Sequence, residues 1–502
     1  RLKRISTTLL ERAKSKGVIS LELLNHAKRT HVSYFKKQAN REAEHFTQFL
    51  LNDIPNSKRY GTVRSTLDLE LQKNVSRIVN DEISKLSNLN VTNASCLVVD
   101  VHTGDVLVYL GSKAFHDIES SGQVDGVQAL RQPGSTLKPF VYGLALEESF
   151  SLNTLVPDLP LEFHGEGGHF IPQNYAESFS GMVSLRTALA NSLNIPALYI
   201  SQKLGVEPVL ERLRAVGLNS LSKDPNYYGL GIVLGNGEVT MWELAHAYLV
   251  LARGGTQIPL KIQSKNQETQ STIVLDERIV YLINDVLSDN NARDLSFGLN
   301  SPLSQSFPAA VKTGTSTNYR DNWTIGHTPD YLVAVWVGNF DGSPMQNVSG
   351  VSGAGPIWHR VMKEVVGSRK SEFTPTDDVF SRVICSDSHM LLGTHCLATM
   401  TEVFTSDMLN SQRVCTPKEH VHSAIKKYEQ NREPVNDFIE IVFPSHNTYF
   451  AIDPNISRER QILKIDYVAK YGVDDVRVFV DDIELDVFEW QLTKGNHKID
   501  IR

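Results

Sequence analysis

The chain is poor in cysteine, tryptophan and methionine, with 4, 5 and 7 among 502 residues. Four scattered cysteines exclude a scaffold built on disulfides, so the fold must rest on hydrophobic cores. No run approaches the roughly 18 apolar residues of a membrane span, and no secretory signal is present. The chain begins at Arg1 rather than Met, so an upstream part carrying a membrane anchor is expected. An excess of basic residues is also missing. The net charge of −7 gives no electrostatic case for nucleic acid. No compact C-x-x-C pair accompanies the histidines, so a zinc site is not the preferred reading, and no cofactor is expected.

What is present is ordinary globular material. Hydrophobic residues make up 41% and charged residues 21%, and the length allows two to four domains. Residues 1–60 are charged and read as a helical linker region broken at Gly17. Residues 61–370 hold a helix from Leu69 to Leu86, a hairpin of Cys96–Val101 and Asp105–Leu110, a long helical middle and a return to strands from 309 to 340. The stretch 155–185 is irregular and rich in glycine and proline; it is either the wall of a groove or a surface excursion. Residues 371–433 form a linker holding Cys385, Cys396 and Cys415. A disulfide between two of these three is expected, while Cys96 reads as a buried core thiol. Residues 434–502 alternate in strand fashion and predict a small β-sandwich module with no catalytic set.

The chemistry concentrates around Arg131-Gln132-Pro133-Gly134-Ser135-Thr136-Leu137-Lys138. A helix beginning at Ser135 would put Ser135 and Lys138 one turn apart on one face. Lys138 could then hydrogen-bond to the Ser135 hydroxyl and take its proton, which is what a serine nucleophile needs. A lone pair at this spacing is ordinarily a solvated helix face. Ser33/Lys36, Ser220/Lys223 and Ser423/Lys426 share it without a Pro-Gly break before them. Two later segments change the balance: Ser192-Leu193-Asn194, and Lys312-Thr313-Gly314-Thr315. The ordered set S-x-x-K, S-x-N, K-T-G is the motif set of penicillin-binding proteins and class A β-lactamases. Ser288-Asp289-Asn290, Ser151-Leu152-Asn153 and Ser445-His446-Asn447 also fit S-x-N. Ser192 is preferred because it follows an amphipathic run and precedes Ile-Pro. His102-Thr103-Gly104 mimics K-T-G but reads as a hairpin turn.

Over about residues 60–370 the text resembles the transpeptidase domain of class A penicillin-binding proteins. Leu185-Arg186-Thr187-Ala188-Leu189, Arg320-Asp321-Asn322-Trp323, Trp336-Val337-Gly338 and Gly355-Pro356-Ile357-Trp358 carry the likeness beyond the three motifs. The tail and the β-rich end are most like the 1C-type. No acidic glycosyltransfer motif is found, so the family's glycosyltransferase domain is expected to be missing from this chain. The resemblance implies an α+β fold, with an antiparallel sheet flanked by helices. It implies a serine D,D-transpeptidase acting on the D-Ala-D-Ala end of peptidoglycan stem peptides on the periplasmic side of the bacterial inner membrane, with β-lactams as acylating inhibitors. Ser135 would be the nucleophile, Lys138 its base, Ser192 a proton relay and Lys312 a neighbouring charge. Asn194, Thr313, Gly314 and Thr315 would hold substrate, with the Ser135 and Thr315 N–H groups as oxyanion donors. The alternatives are a D,D-carboxypeptidase or β-lactamase that gives the acyl group to water, and a catalytically slow penicillin-binding scaffold. The C-terminal module would dock a cell-wall or envelope protein.

Overall fold

The computed structural model describes residues 2–29, 42–54, 62–416 except 162, 166–167, 171, 173, 175–178, 265–269, 370, 395 and 397, and strands and turns within 439–501. The chain divides into two compact units, Arg1–Val414 and Cys415–Arg502. None of the helices among the described residues is long and apolar enough to cross a membrane.

The first unit is built on a five-stranded antiparallel sheet. Its strands are β1 (Asn93–Asp100), β2 (Val106–Leu110), β3 (Ala310–Thr315), β4 (Asp321–His327) and β5 (Tyr331–Gly338), in the order β2-β1-β5-β4-β3. The turn between β1 and β2 is His102-Thr103-Gly104, with Gly104 at φ +76, so the K-T-G look-alike is a hairpin turn as expected. Successive strand side chains point to opposite faces, and both faces are covered. Ala94, Cys96, Val98, Val333, Val335 and Val337 join one core; Leu97, Val99, Leu332, Ala334, Trp336 and Trp323 join the other. Each valine and leucine among them, fully buried, contributes roughly 1.5–3 kcal/mol.

The helices follow from apolar periodicity and caps. Helix α4 (Leu69–Lys85) begins where the Asp68 side chain accepts from Leu71 N at 3.0 Å. Val75, Ile78, Val79 and Ile83 lie on one stripe of it and cover the Cys96 face with Ile357, Trp358 and Val361 of α10 (Ala354–Val366). On the other face lie α5 (Lys138–Glu148), α6 (Leu185–Ala190), α7 (Asn194–Leu204), α8 (Met241–Ala252) and α9 (Glu277–Ser288). Thr240 and Glu243 form a reciprocal capping box at the start of α8. Before the sheet come α1 (Leu2–Ser15) and α2 (Leu21–Arg29), followed by α3 (Glu44–Asp53). The break at Gly17 is observed. Helix α3 is more than linker, because Phe46 is buried in the main core and Phe49 stacks on Tyr109 at 5.3 Å.

Two expectations change. Part of the stretch expected as a Cys-containing linker is packed structure. A hairpin of β6 (Val379–Cys385) and β7 (Thr399–Thr405) leads into α11 (Ser406–Asn410), and Ile384, Phe404 and Met408 enter the main core. None of the four cysteines is in a disulfide, so the bridge expected among Cys385, Cys396 and Cys415 is not formed. Cys96 is fully buried, as its strand position required.

The second unit is all antiparallel strand among its described residues. Ile439–Phe443 pairs with Asp466–Ala469, Ile462–Lys464 with Glu489–Gln491, and Val478–Val480 with both Ile483–Glu484 and Ile499–Ile501. Ile465, Val478 and Val480 form its small core. The Asp481-Asp482 turn has positive φ at both residues. The Lys494-Gly495-Asn496 turn lies outside the described residues.

Candidate active site

Ser135 does not open an α-helix directly. It lies in a 3-10 turn, Gly134–Leu137, that runs into α5 at Lys138. In a 3-10 turn side chains three apart eclipse, so the Ser135–Lys138 spacing still puts both on one side. Gly134 has φ +56, and a Cβ there would lie 2.8 Å from both N and O of Thr315. Only glycine allows that combination of handedness and close approach. Opposite it, a Cβ on Gly314 would lie 2.3 Å from Pro133 O. The first motif and the K-T-G strand β3 therefore touch backbone to backbone. Trp323 Nε1 donates to Gln132 O at 2.9 Å, and Tyr248 Oη donates to Thr136 O at 2.8 Å. Both bonds are made by largely buried aromatic residues, which hold the turn rigidly.

Lys138 is fully buried. Its Nζ donates to Ser192 O at 2.6 Å, Leu193 O at 3.0 Å and Asn194 Oδ1 at 2.9 Å. The expected hydrogen bond to the Ser135 hydroxyl is not formed. The reason is local: the chain between α6 and α7 turns its carbonyls toward the lysine, and these compensate the amine for lost water. Burial drives the Lys138 pKa well below the ordinary lysine value; Lys312 pushes it the same way, and Asp158 opposes.

The second motif lies in that turn. Ser192 adopts φ +58, a left-handed conformation that costs a non-glycine residue about 1–2 kcal/mol. Its Oγ accepts from Lys312 Nζ at 2.7 Å. Lys312 is also buried and donates to Thr313 O at 3.0 Å. Burial, and then the nearby Arg293 guanidinium, lower its pKa to about 7. Asn194 caps the cluster: its side chain accepts from Lys138, and its N–H donates to Asn174 Oδ1 at 2.9 Å. Thr313 is buried, while the Thr315 hydroxyl accepts from Gly350 N at 3.0 Å. Ser135, Lys138, Ser192, Asn194, Lys312, Gly314 and the Thr315 backbone are thus brought to one place.

The decoys go elsewhere. Ser288 Oγ bonds to Asp285 O at the end of α9, Ser220 is tied to Glu243, and Ser151 pairs with Asn153. Ser33/Lys36, Ser423/Lys426 and Ser445-His446-Asn447 lie outside the described residues. Asp158, Asn174 and Arg293 support the site and were not singled out from sequence. Asp158, fully buried, accepts from Asn174 Nδ2 at 2.7 Å and from Ser180 N at 2.8 Å, so part of the glycine-rich stretch wraps the site. Arg293, 3% exposed, keeps one buried Nη1 without a partner. No local spacing marks these residues. The nearest signal was a charged residue inside an otherwise irregular segment.

A five-stranded antiparallel sheet carries helices on both faces, and Ser/Lys, Ser/Asn and Lys-Thr-Gly groups meet at one edge of it. The family model for the penicillin binding protein transpeptidase domain matches residues 94–363. The chain is 30% identical to penicillin-binding protein 1C of Escherichia coli (strain K12), over 70% of this chain and 44% of that protein. It is 31% identical to penicillin-binding protein 1A of Neisseria lactamica, over 54% of this chain and 35% of that one. Among solved structures, penicillin-binding protein 1A from Haemophilus influenzae superposes with a TM-score of 0.63 at 16% identity, covering 81% of this chain and 82% of that chain. The PonA1 protein from Mycobacterium tuberculosis in complex with penicillin V superposes with a TM-score of 0.55 at 22% identity, covering 66% and 94%. The chain belongs to the penicillin-binding protein transpeptidase family, on its class A branch. It spans less than half the length of the curated relatives it matches first.

Proposed function

We propose that the chain is a serine D,D-transpeptidase that cross-links peptidoglycan stem peptides and is acylated by β-lactams. The observation that carries this is the bonded chain from Lys138 through Asn194 and Ser192 to Lys312, beside the Ser135 turn. Ser135 Oγ attacks the penultimate D-Ala carbonyl, and Lys138 takes its proton. The three oxygens now around Lys138 Nζ suit an ammonium with three N–H donors; the free amine has two. To act as base, Lys138 must release one of them and turn its lone pair to Ser135. Such bonds commonly tighten only when substrate is present.

The oxyanion is held by the N–H groups of Ser135 and Thr315; the close approach of Gly134 to Thr315 favours that pairing. Losing one such donor costs about 3 kcal/mol. As the tetrahedral species collapses, Ser192 Oγ gives its proton to the departing D-Ala amine and recovers one from Lys312. An acceptor amine then attacks the Ser135 ester and passes its proton through Ser192 to Lys312; the ester C–O bond breaks, and Ser135 Oγ leaves with the proton held on Lys138. Asn194 binds the peptide amide, while Thr313 and Thr315 take the terminal carboxylate beside Gly314.

This activity places the chain on the periplasmic side of the inner membrane, anchored by an upstream segment. Its C-terminal module, residues 434–502, would dock a cell-wall or envelope protein. The test is mass spectrometry after incubation with benzylpenicillin. A single adduct on the peptide holding Ser135, absent in Ser135→Ala, is expected. An adduct elsewhere, or none, leaves a scaffold role in its place.

A further inference from the structure

Beyond the family match, which ends at residue 363, one acidic side chain reaches back toward the second motif. Glu402 on β7 is completely buried. Its strand neighbours alternate, so Glu402 and Phe404 point inward while Thr401 is exposed. An apolar residue at position 402 would fill that place with no loss of hydration. A buried carboxylate is tolerated only when it is paired and fully hydrogen-bonded. Glu402 meets both conditions through one partner and its own strand. Arg186 Nε lies 3.0 Å from Oε1 and 3.0 Å from Oε2, and Arg186 Nη2 lies 2.6 Å from Oε1. Val403 N also donates to Oε1 at 2.8 Å.

Arg186 belongs to α6, the short helix that runs directly into Ser192. The remaining Arg186 contacts are to Asp285 Oδ2 at 2.5 Å and Asp289 Oδ2 at 3.3 Å, on and just after α9. Those two carboxylates are about a third exposed, with side-chain accessibilities of 30% and 32%, so water can solvate them if Arg186 is lost. Glu402 has no such recourse. Downstream, Ser192 N and Leu193 N donate to Leu189 O and Ala188 O at 3.1 and 3.0 Å, and Asn191 is tied to Ala292 O and Ser296 N. Any roll of α6 is therefore passed to the strained Ser192 and to the carbonyls that hold Lys138.

We propose that Glu402, acting through Arg186, is a positioning residue for acylation. The β6–β7 hairpin then forms a working part of the active site. This rests on the transpeptidase reading, because the step it affects is acylation of Ser135.

The test is stopped-flow acylation of the full chain by a fluorescent penicillin, which separates the non-covalent binding constant from the first-order acylation rate. Glu402→Gln keeps the shape but removes the charge and replaces one of the two acceptor oxygens with an N–H donor, for which Arg186 has no acceptor. It should slow acylation at least about tenfold and leave the binding constant within about twofold, the pattern of a misplaced reacting group. The paired variant Arg186→Met with Glu402→Met replaces the ion pair by apolar side chains of similar volume, an exchange that often preserves or raises stability. It should melt near wild type and still acylate slowly. Recovery of the wild-type rate in the paired variant, or a Glu402→Gln protein with lowered melting temperature and unchanged rate, would overturn the proposal. Wild-type protein that takes no penicillin at all would instead remove the transpeptidase reading.

Discussion

Lys312 Nζ and Ser192 Oγ are 2.7 Å apart across 120 positions of sequence, and that bond joins the second motif to the third. Lys138 joins the first motif to the second by bonding to Ser192 O and Asn194 Oδ1. The nucleophile turn is thus enclosed by a network whose two amines are both held below their usual pKa by burial. An amine tuned toward neutrality is what general-base catalysis at neutral pH needs.

Removal of its amine should separate Lys138 from its look-alikes. Lys138→Ala should slow benzylpenicillin acylation by at least about 100-fold, the usual worth of a positioned base. Lys223→Ala and Ser288→Ala alter side chains bound outside the site and should change the rate less than about twofold. Gel fluorescence with a labelled penicillin measures all three.

The pH dependence follows from charge. Lysine acts as a base only after losing its proton, so acylation should rise with pH through a limb set by Lys138, whose pKa burial holds well below the ordinary lysine value. Lys312 has the opposite task, giving a proton to Ser192, so its loss of charge near 7 should make the rate fall on the alkaline side. Arg293 is a second buried cation that lowers the Lys312 pKa. Arg293→Met should let Lys312 keep its proton to higher pH, moving the falling limb upward. Asn194→Asp places a carboxylate against Lys138 and should move the rising limb upward, because an opposite charge favours the ammonium. A downward shift in either variant would contradict this account of the site.

Backbone contact between the first and third motifs predicts two sensitive glycines. Gly134→Ala demands left-handed backbone of a non-glycine residue, at about 1–2 kcal/mol, and pushes on Thr315. Gly314→Ala puts a methyl group against Pro133 O. Each should lower the melting temperature and slow acylation at least about tenfold. A control at Gly181, which has open space around it, should leave acylation near wild type even if it costs stability.

Truncation distinguishes the two parts of the tail. A chain ending at residue 416 should acylate nearly as the full chain does, because the motifs, the β6–β7 hairpin and α11 are retained. A chain ending at residue 370 loses Glu402 and the core residues Ile384 and Phe404, and should be unstable and slow. Equal rates for the two would mean that the hairpin is dispensable.

His327 gives a stability prediction. It is buried on β4, and burial lowers its pKa from 6.5 to about 3. Below about pH 6.5 the unfolded chain takes up a proton that the folded chain refuses, so stability falls as pH drops toward 3, by at most about 1.4 kcal/mol per pH unit. Thermal melts of His327→Gln should show a shallower acid slope than wild type.

The three motifs and their order were legible in the sequence, whereas Asp158 and Arg293 were not. Spacing decided Ser135–Lys138, since three residues in either helical form place two side chains on one side. Apolar alternation decided β1, β2 and the closing strands, and Gly17 and Gly104 were legible as breaks. The direction of Lys138 Nζ was not legible, because the competing acceptors are carbonyls more than 50 residues away. Likewise, Glu402 and Arg186 are separated by 216 positions, and neither carries a local signal of its partner. A buried charge reads in sequence like any solvated one. Desolvation and pairing, which give it its role, depend on what other parts of the chain bring to its side.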